Sequence, residues 1–203
     1  MIRIFIGTDS SIHEKAELAL AYSILKESVT EPVAIEFMQP GWKSGCTGFT
    51  NHRFLIPSMC DFEGFAIYVD VDMLFLADPA ELWAHRKPGK WCTTPMRDDV
   101  SVIDCAAFKD LTEDVVRNRR KDAIRAKIGG RFDACIPKEW NMIDKLTPET
   151  KLIHYSDLDR QPWNPIPGHP YKPHPDPVAV ALFWDYYQAA TLPIVTAVQV
   201  ETK

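Results

Sequence analysis

Two short apolar runs separated by one amphipathic stretch constrain this chain more than any other feature. Residues 2–7 (IRIFIG) and 32–38 (PVAIEFM) read as buried strands, short and rich in Ile, Val and Phe. Between them, Ala16, Leu20 and Ile24 fall on one helical face with Leu25 beside them, and Ser11 and Glu14 fit a capping box. Strand, helix and strand in succession predict a parallel sheet with helical crossovers.

The rest of the chain continues in that style. Residues 40–53 are rich in turn formers and read as a long loop. Residues 64–69 (GFAIYV) are a third strand, and Asp78-Pro79 opens a short helix as cap and first residue. Residues 90–94 and 100–108 read as short strands. Residues 111–129 read as one helix stopping at Gly129-Gly130. Residues 151–155 (KLIHY) are a last strand. Residues 162–177 are too proline-dense for a helix or central strand, and 178–190 close the chain as a helix.

With 203 residues, no repeat and no linker, a single domain over 1–203 is expected. The net charge of -5 argues against wholesale nucleic-acid binding, so no nucleic-acid partner is expected. No apolar run is long enough to span a bilayer, and the N-terminal stretch lacks the features of a signal peptide. The five cysteines are scattered, without metal-clip or redox spacing, and read as small buried hydrophobes in a reducing compartment.

The third strand ends in two acids, Asp70 and Asp72, in AIYVDVDMLF. Residues two apart on a strand face the same side, so both carboxylates are expected to converge beyond the strand tip. Open α/β sheets bind ligands at the carboxyl ends of their strands. Two buried carboxylates face a cost that a divalent cation removes, and oxygen ligands suit Mg²⁺ or Mn²⁺ shared with a phosphate. The bare D-x-D pattern is weak, since Asp157-Leu158-Asp159 repeats it. A solvated strand end with helix-capping acids is the plain alternative, and the context favours metal.

That context resembles a known family. The stretches FTNHRFLIP and GFAIYVDVDMLFLADPAELW, then KEWNMID and KLIHYSDLDRQPW, are similar to glycosyltransferases of the GT-A fold, most of all family 8. The matches run from Ile2 to Trp163. The resemblance implies a GT-A α/β fold with a mostly parallel central sheet flanked by helices. It also implies metal-dependent transfer of a hexose from a nucleotide-diphosphate sugar, with UDP as the nucleotide and retention at the sugar carbon. The implied metal ligands are Asp70, Asp72 and His154 around Mn²⁺ (or Mg²⁺). Thr8 and Asp9 match the positions that hold nucleobase and ribose, although Asp9 equally suits a helix start. Arg53 matches an arginine that reaches the nucleotide-sugar. Asp70 would also lie against the substrate. The acceptor, a glycan, lipid or protein, is not identified by these motifs.

The chain departs from the pattern at several points. Gln161 stands where the family has a diphosphate-contacting lysine, and Arg160 or Lys172 is the candidate replacement cation. Trp163 reads as a loop anchor. Asp104 falls where relatives carry an asparagine, which makes it, with Asp72, a weak catalytic candidate. No Asp-Gln-Asp element is present, and Asp133 is the nearest acid. Arg117, Arg120, Lys121 and Arg125 form a basic helix face, either solvated or turned to an anionic membrane or acceptor. Residues 164–177 are a surface strap or a lid, and His169 and His174 suggest metal weakly. The basic C-terminal segment by which relatives attach to membranes is not seen before Lys203, so a cytoplasmic location is expected. Two rivals remain: a haloacid dehalogenase-like phosphatase with Asp70 as nucleophile, and a nucleotide-sugar-binding protein without turnover.

Overall fold

The structure is a computed structural model that describes residues 1–39, 41–42, 48–163 and 170–192. It opens with β1 (Ile2–Gly7), α1 (Ser10–Glu27) and β2 (Val33–Met38). A 3-10 turn over His52–Leu55 runs into the short α2 (Ile56–Met59), where the sequence suggested the end of a loop. Then follow β3 (Phe65–Asp70), β4 (Met73–Phe75), α3 (Pro79–Trp83), β5 (Trp91–Thr94) and β6 (Arg97–Asp104). The chain continues with α4 (Glu113–Asn118), α5 (Lys121–Ile128), β7 (Phe132–Asp133), β8 (Met142–Ile143), β9 (Leu152–His154) and α6 (Pro177–Thr191).

The central sheet has the order β2-β1-β3-β6-β5-β7. β1 is parallel to β2 and β3, β6 is antiparallel to β3 and β5, and β7 is parallel to β5. β6 alone therefore runs against the common strand direction, and the sheet is mostly parallel as expected. A second, small sheet has the order β4-β9-β8. The last strand expected from KLIHY exists, but it belongs to this small sheet.

Strand alternation divides the core. Ile4, Ile6, Ile67 and Val69 face one layer, packed with Leu20 and Ile24 of α1 and Phe183 of α6. Phe5, Ala66 and Tyr68 face the other, with Phe54, Trp91, Phe108 and Ile124. Asp70 follows Tyr68 by two residues and so leaves the sheet on this second face. β3 ends at Asp70, and Asp72 sits in the bend before β4 rather than on the same strand face.

Three local expectations are corrected. Asp9, not Ser11, caps α1: its carboxylate accepts from the Ser11 amide at 3.2 Å. A short acidic side chain one residue before the first turn reaches the orphan amides without a capping box. The expected helix over 111–129 is two helices, broken where Arg119 and Arg120 are extended (ψ 152° and 155°). β6 begins three residues earlier than its apolar pattern suggested, at Arg97, and residues 105–108 are a 3-10 turn. Cys60, Cys92 and Cys105 are buried free thiols and Cys135 is half-buried. No helix among the described residues is long and apolar enough to cross a membrane.

Candidate metal centre and adjoining cleft

Register assembles the site at the carboxyl end of β1 and β3. Gly7 pairs with Asp70, and the Val71 amide donates to the Gly7 carbonyl at 3.1 Å, which places the β1–α1 turn beside the acids. Val69 pairs with Val100, so the start of antiparallel β6 arrives at the same end and brings Asp98 and Asp99. Met73 pairs with His154, and the Tyr155 amide donates to the Asp72 carbonyl at 2.8 Å. The small sheet thus swings His154 over the acids.

Asp70, Asp72 and His154 each present one ligand atom, all within 4.8 Å of one another. His154 Nε2 lies 3.2 Å from Asp72 Oδ1. That oxygen is nevertheless buried without a hydrogen-bond partner, so the two atoms do not satisfy each other. Asn141 Oδ1 sits 2.8 Å from His154 Nδ1, which makes Nδ1 the protonated nitrogen and leaves the Nε2 lone pair for a ligand. Gln161 Nε2 donates to Asp72 Oδ2 and to the Tyr155 carbonyl, both at 2.9 Å. An orphaned buried oxygen, a nitrogen with a fixed tautomer and a second carboxylate fit Mn²⁺ or Mg²⁺, the imidazole favouring Mn²⁺.

Arg53 is 3% exposed and clasps the acids from beneath. Its Nη2 donates to both Asp70 oxygens at 3.0 and 3.3 Å, its Nη1 to Asp98 at 2.9 Å and Asp99 at 3.1 Å, and its Nε to the Thr50 carbonyl at 3.2 Å. The Tyr68 hydroxyl also donates to Asp70. Burial holds this phenol well above its ordinary pKa, so it stays a donor. Burial also pushes Asp70 up to about 6 against the pull of Arg53, with Asp99 and Asp72 adding to the rise. Asp99 goes the other way: burial opposes ionisation, but Arg53, His154 and Arg97 hold it well below the usual carboxylate range. Burial works against a charged His154, yet Asp72, Asp99 and Asp70 outweigh it and raise its pKa.

Beside this centre lies a cleft of about 390 Å³, lined by Thr8, Asp9, Ser11, Gln39, Trp42 and His52 among others. Thr8 Oγ1 donates to Glu17 at 2.6 Å. His52 Nε2 faces the Trp42 carbonyl at 2.9 Å, and the two rings meet edge to face at 4.9 Å.

The structure therefore brings Asp70, Asp72, His154, Arg53 and Gln161 into one cluster, with Thr8 and Asp9 on the adjoining cleft. Arg53 faces inward, its fork taken up by carboxylates. Gln161, fully buried, orients Asp72. Arg160 and Lys172 are engaged elsewhere, with Asp157 at 3.0 Å and Asp159 at 2.7 Å. Those pairings also account for the second D-x-D. Asp104 is corrected: it pairs with Phe65 at the opposite end of β3, because β6 runs antiparallel, and it accepts from the Gly89 amide at 2.7 Å. Asp133 pairs with Lys87 at 2.9 Å, outside the cluster. Trp163 anchors its loop by stacking on Phe183, ring centroids 4.8 Å apart. Residues 164–169, with His169, lie outside the described residues; His174 is buried and belongs to no metal cluster among them. The basic face is not simply solvated: Lys121, at 3.0 Å, and Arg125 pair with buried Asp98.

Sequence reading missed Asp98, Asp99 and the role of Asn141. The signal present was DDVSVID, two adjacent acids entering an apolar strand, the counterpart of YVDVD with the chain direction reversed.

No family model matches the chain. Protein CDI of Arabidopsis thaliana is 34% identical over 91 residues, 39% of this chain and 35% of that protein. The matched part is thus about a third of that relative's length. Among solved structures, an active-site mutant of LgtC aligns with TM-score 0.66 at 12% identity, over 96% of this chain and 98% of that one. WbbM, a bifunctional glycosyltransferase, aligns with TM-score 0.66 at 12% identity over 92% of this chain and 49% of its own. The glycosyltransferase GlyE of Streptococcus pneumoniae gives TM-score 0.63 at 12% identity, over 93% of this chain and 62% of its own. Identity this low speaks for the backbone alone. The chain has the fold of the GT-A glycosyltransferases.

Proposed function

We propose that this protein is a metal-dependent glycosyltransferase that moves a hexose from a nucleotide-diphosphate sugar, UDP by resemblance, to a glycan, lipid or protein acceptor. The observation that carries the reading is the convergence of Asp70, Asp72 and His154 at the carboxyl end of the sheet, beside a cleft lined by Thr8, Asp9 and the rings of Trp42 and His52. The cleft suits a nucleoside, with Thr8 and Asp9 on one wall and Trp42 and His52 among the others. A bound Mn²⁺ supplies neutralisation of the diphosphate as the sugar–phosphate bond breaks. The chain's own groups hold the geometry: Asp70 and Asp72 supply oxygens, Asn141 fixes the His154 tautomer, and Gln161 aims Asp72.

In the reaction, the bond from the sugar carbon to the phosphate oxygen breaks and a bond to the acceptor oxygen forms. The acceptor proton passes to the leaving diphosphate on the same face, which gives retention. No protein nucleophile is required. The backbone argues against the phosphatase alternative, since it is that of the GT-A glycosyltransferases.

The test is a thermal-shift screen of nucleotide-sugars with and without Mn²⁺, followed by donor hydrolysis and transfer assays. One donor is expected to raise the melting temperature in a Mn²⁺-dependent way, and Asp72→Ala is expected to abolish that part. An unchanged shift in Asp72→Ala sinks the ligand assignment. Tight Mn²⁺-dependent binding with no turnover of donor identifies a nucleotide-sugar-binding protein instead.

A further inference from the structure

The charges beneath the metal centre extend well beyond its ligands. Arg53 is buried and touches Asp70, Asp98 and Asp99 at once. Asp98, its side chain 3% exposed, also takes Lys121 and Arg125 of α5. Asp99 also takes Arg97, and its Oδ2 lies 3.9 Å from His154 Nδ1. α5 buries two side chains, Ile124 and Ile128, and Lys127 pairs with Asp110. The hydrogen bonds of Arg53 go to Asp70, Asp98, Asp99 and the Thr50 carbonyl, so its contact with a ligand runs through Asp70.

We propose that Asp98 and Asp99, acting through Arg53, are positioning residues for the metal ligands Asp70 and His154, and that cation binding is coupled through them to the docking of α5. This rests on the metal reading of Asp70, Asp72 and His154. The physical basis is charge balance in a buried place. Three carboxylates, Asp70, Asp98 and Asp99, are shared among Arg53, Arg97, Lys121 and Arg125, while Asp72 faces His154. Removing one buried carboxylate leaves cations without a partner, and they shift toward those that remain. Arg53 then draws closer to Asp70 and competes with the incoming ion for its oxygens. Conversely, a bound ion draws on the Asp70 oxygens and frees Arg53 to hold Asp98 and Asp99 more firmly, which tightens α5. The fork geometry matters, because a lysine at position 53 reaches one carboxylate and not three.

The experiment is a titration with Mn²⁺ alone, followed by the paramagnetic resonance signal of the free ion, together with amide exchange over residues 121–128. Wild type is expected to bind Mn²⁺ and to gain protection in α5. Asp98→Asn is expected to weaken Mn²⁺ binding at least tenfold, as loss of outer-sphere partners commonly does, and to lose the protection gain. Lys121→Met, at a more exposed position, takes a cation from Asp98, which then draws Arg53 away from Asp70; it is expected to tighten Mn²⁺ binding, the opposite sign to Asp98→Asn, and serves if Asp98→Asn does not fold. Asp110→Asn is the control. Asp110 pairs with Lys127 of α5 at 3.3 Å, and none of its pairs involves Arg53. It is expected to leave Mn²⁺ affinity within twofold of wild type. Equal weakening by Asp98→Asn and Asp110→Asn overturns the relay in favour of a general effect of α5 stability. Wild-type affinity in Asp98→Asn and in Lys121→Met overturns it while leaving the metal reading intact. Failure of wild type to bind Mn²⁺ overturns the metal reading, and the relay with it.

Discussion

The arrangement at single residues depends on one missing side chain. Gly7 ends β1 beside Asp70, and a Cβ there falls 2.2 Å from the Tyr68 hydroxyl and 3.1 Å from a Phe49 ring carbon. Tyr68 is fully buried and held to Asp70, so it has no room to retreat. Gly7→Ala is expected to cost about 1–3 kcal/mol by overpacking, read by urea unfolding. In a Tyr68→Phe background the clashing oxygen is gone, and the same change is expected to cost clearly less, because contacting residues are not additive. Equal costs in both backgrounds place the strain elsewhere. Asn141 acts at the same scale through one hydrogen bond to His154, and through an amide that reaches Thr94 at 3.3 Å. Asp70 and Asp72 were singled out in the sequence because a recognisable strand runs into them, and His154 because it matches the family resemblance together with them. Asp98 and Asp99 were not singled out, since their meaning depends on Arg53, 45 and 46 residues away in the chain.

Among elements, the caps carry local information and the joins do not. α6 begins at Asp176, whose Oδ1 accepts from the Val178 and Ala179 amides and whose Oδ2 accepts from the Leu146 amide. Burial alone raises the pKa of this carboxyl, but those three hydrogen bonds outweigh it and the net shift is downward. A lowered folded-state pKa means stability that is complete above the ordinary aspartate value of 3.8 and is lost as the pH falls through the folded-state value. Asp176→Ala is expected to destabilise by about 1 kcal/mol at pH 7 and to flatten the acid limb of the stability curve below pH 4. Denaturant melts at pH 7 and pH 3 check both statements. A mutant whose acid limb matches wild type removes Asp176 from the account. The break between α4 and α5 had no such signal: no Gly or Pro stands at Arg119-Arg120. The chain turns there because Lys121 and Arg125 are drawn to buried Asp98 while the Arg119 carbonyl accepts from Asn51 Nδ2 at 3.1 Å. Tertiary partners overrode the continuous helical pattern.

For the whole molecule, the site is a seam between two sheets. Asp70 ends a strand of the central sheet, His154 ends a strand of the small one, and Asp72 lies in the bend that joins them. An ion held by all three ties the sheets together, so it stabilises the fold as well as a ligand. At a concentration of one hundred times its dissociation constant, Mn²⁺ is expected to add about 2.7 kcal/mol. For a chain of this size that is about 5–11 °C in melting temperature. His154→Ala is expected to lose this increment while keeping the central sheet, as seen in the far-ultraviolet dichroism. Retention of the full increment in His154→Ala removes the small sheet from the metal centre.

By itself the sequence determined most of the strands and helices and the α/β class, and it singled out two acids and a histidine whose metal role is a proposal. Periodicity, caps and strand ends are written within a few neighbouring residues, where sterics and burial act locally. Only the tertiary structure decided that Arg53 turns inward, that Gln161 aims Asp72, that Asp104 lies at the wrong end of its strand, and that a basic helix leans on a buried carboxylate. Each of these depends on strand direction and register. A reversed strand moves a carboxylate from one edge of the sheet to the other without changing a residue of the local pattern.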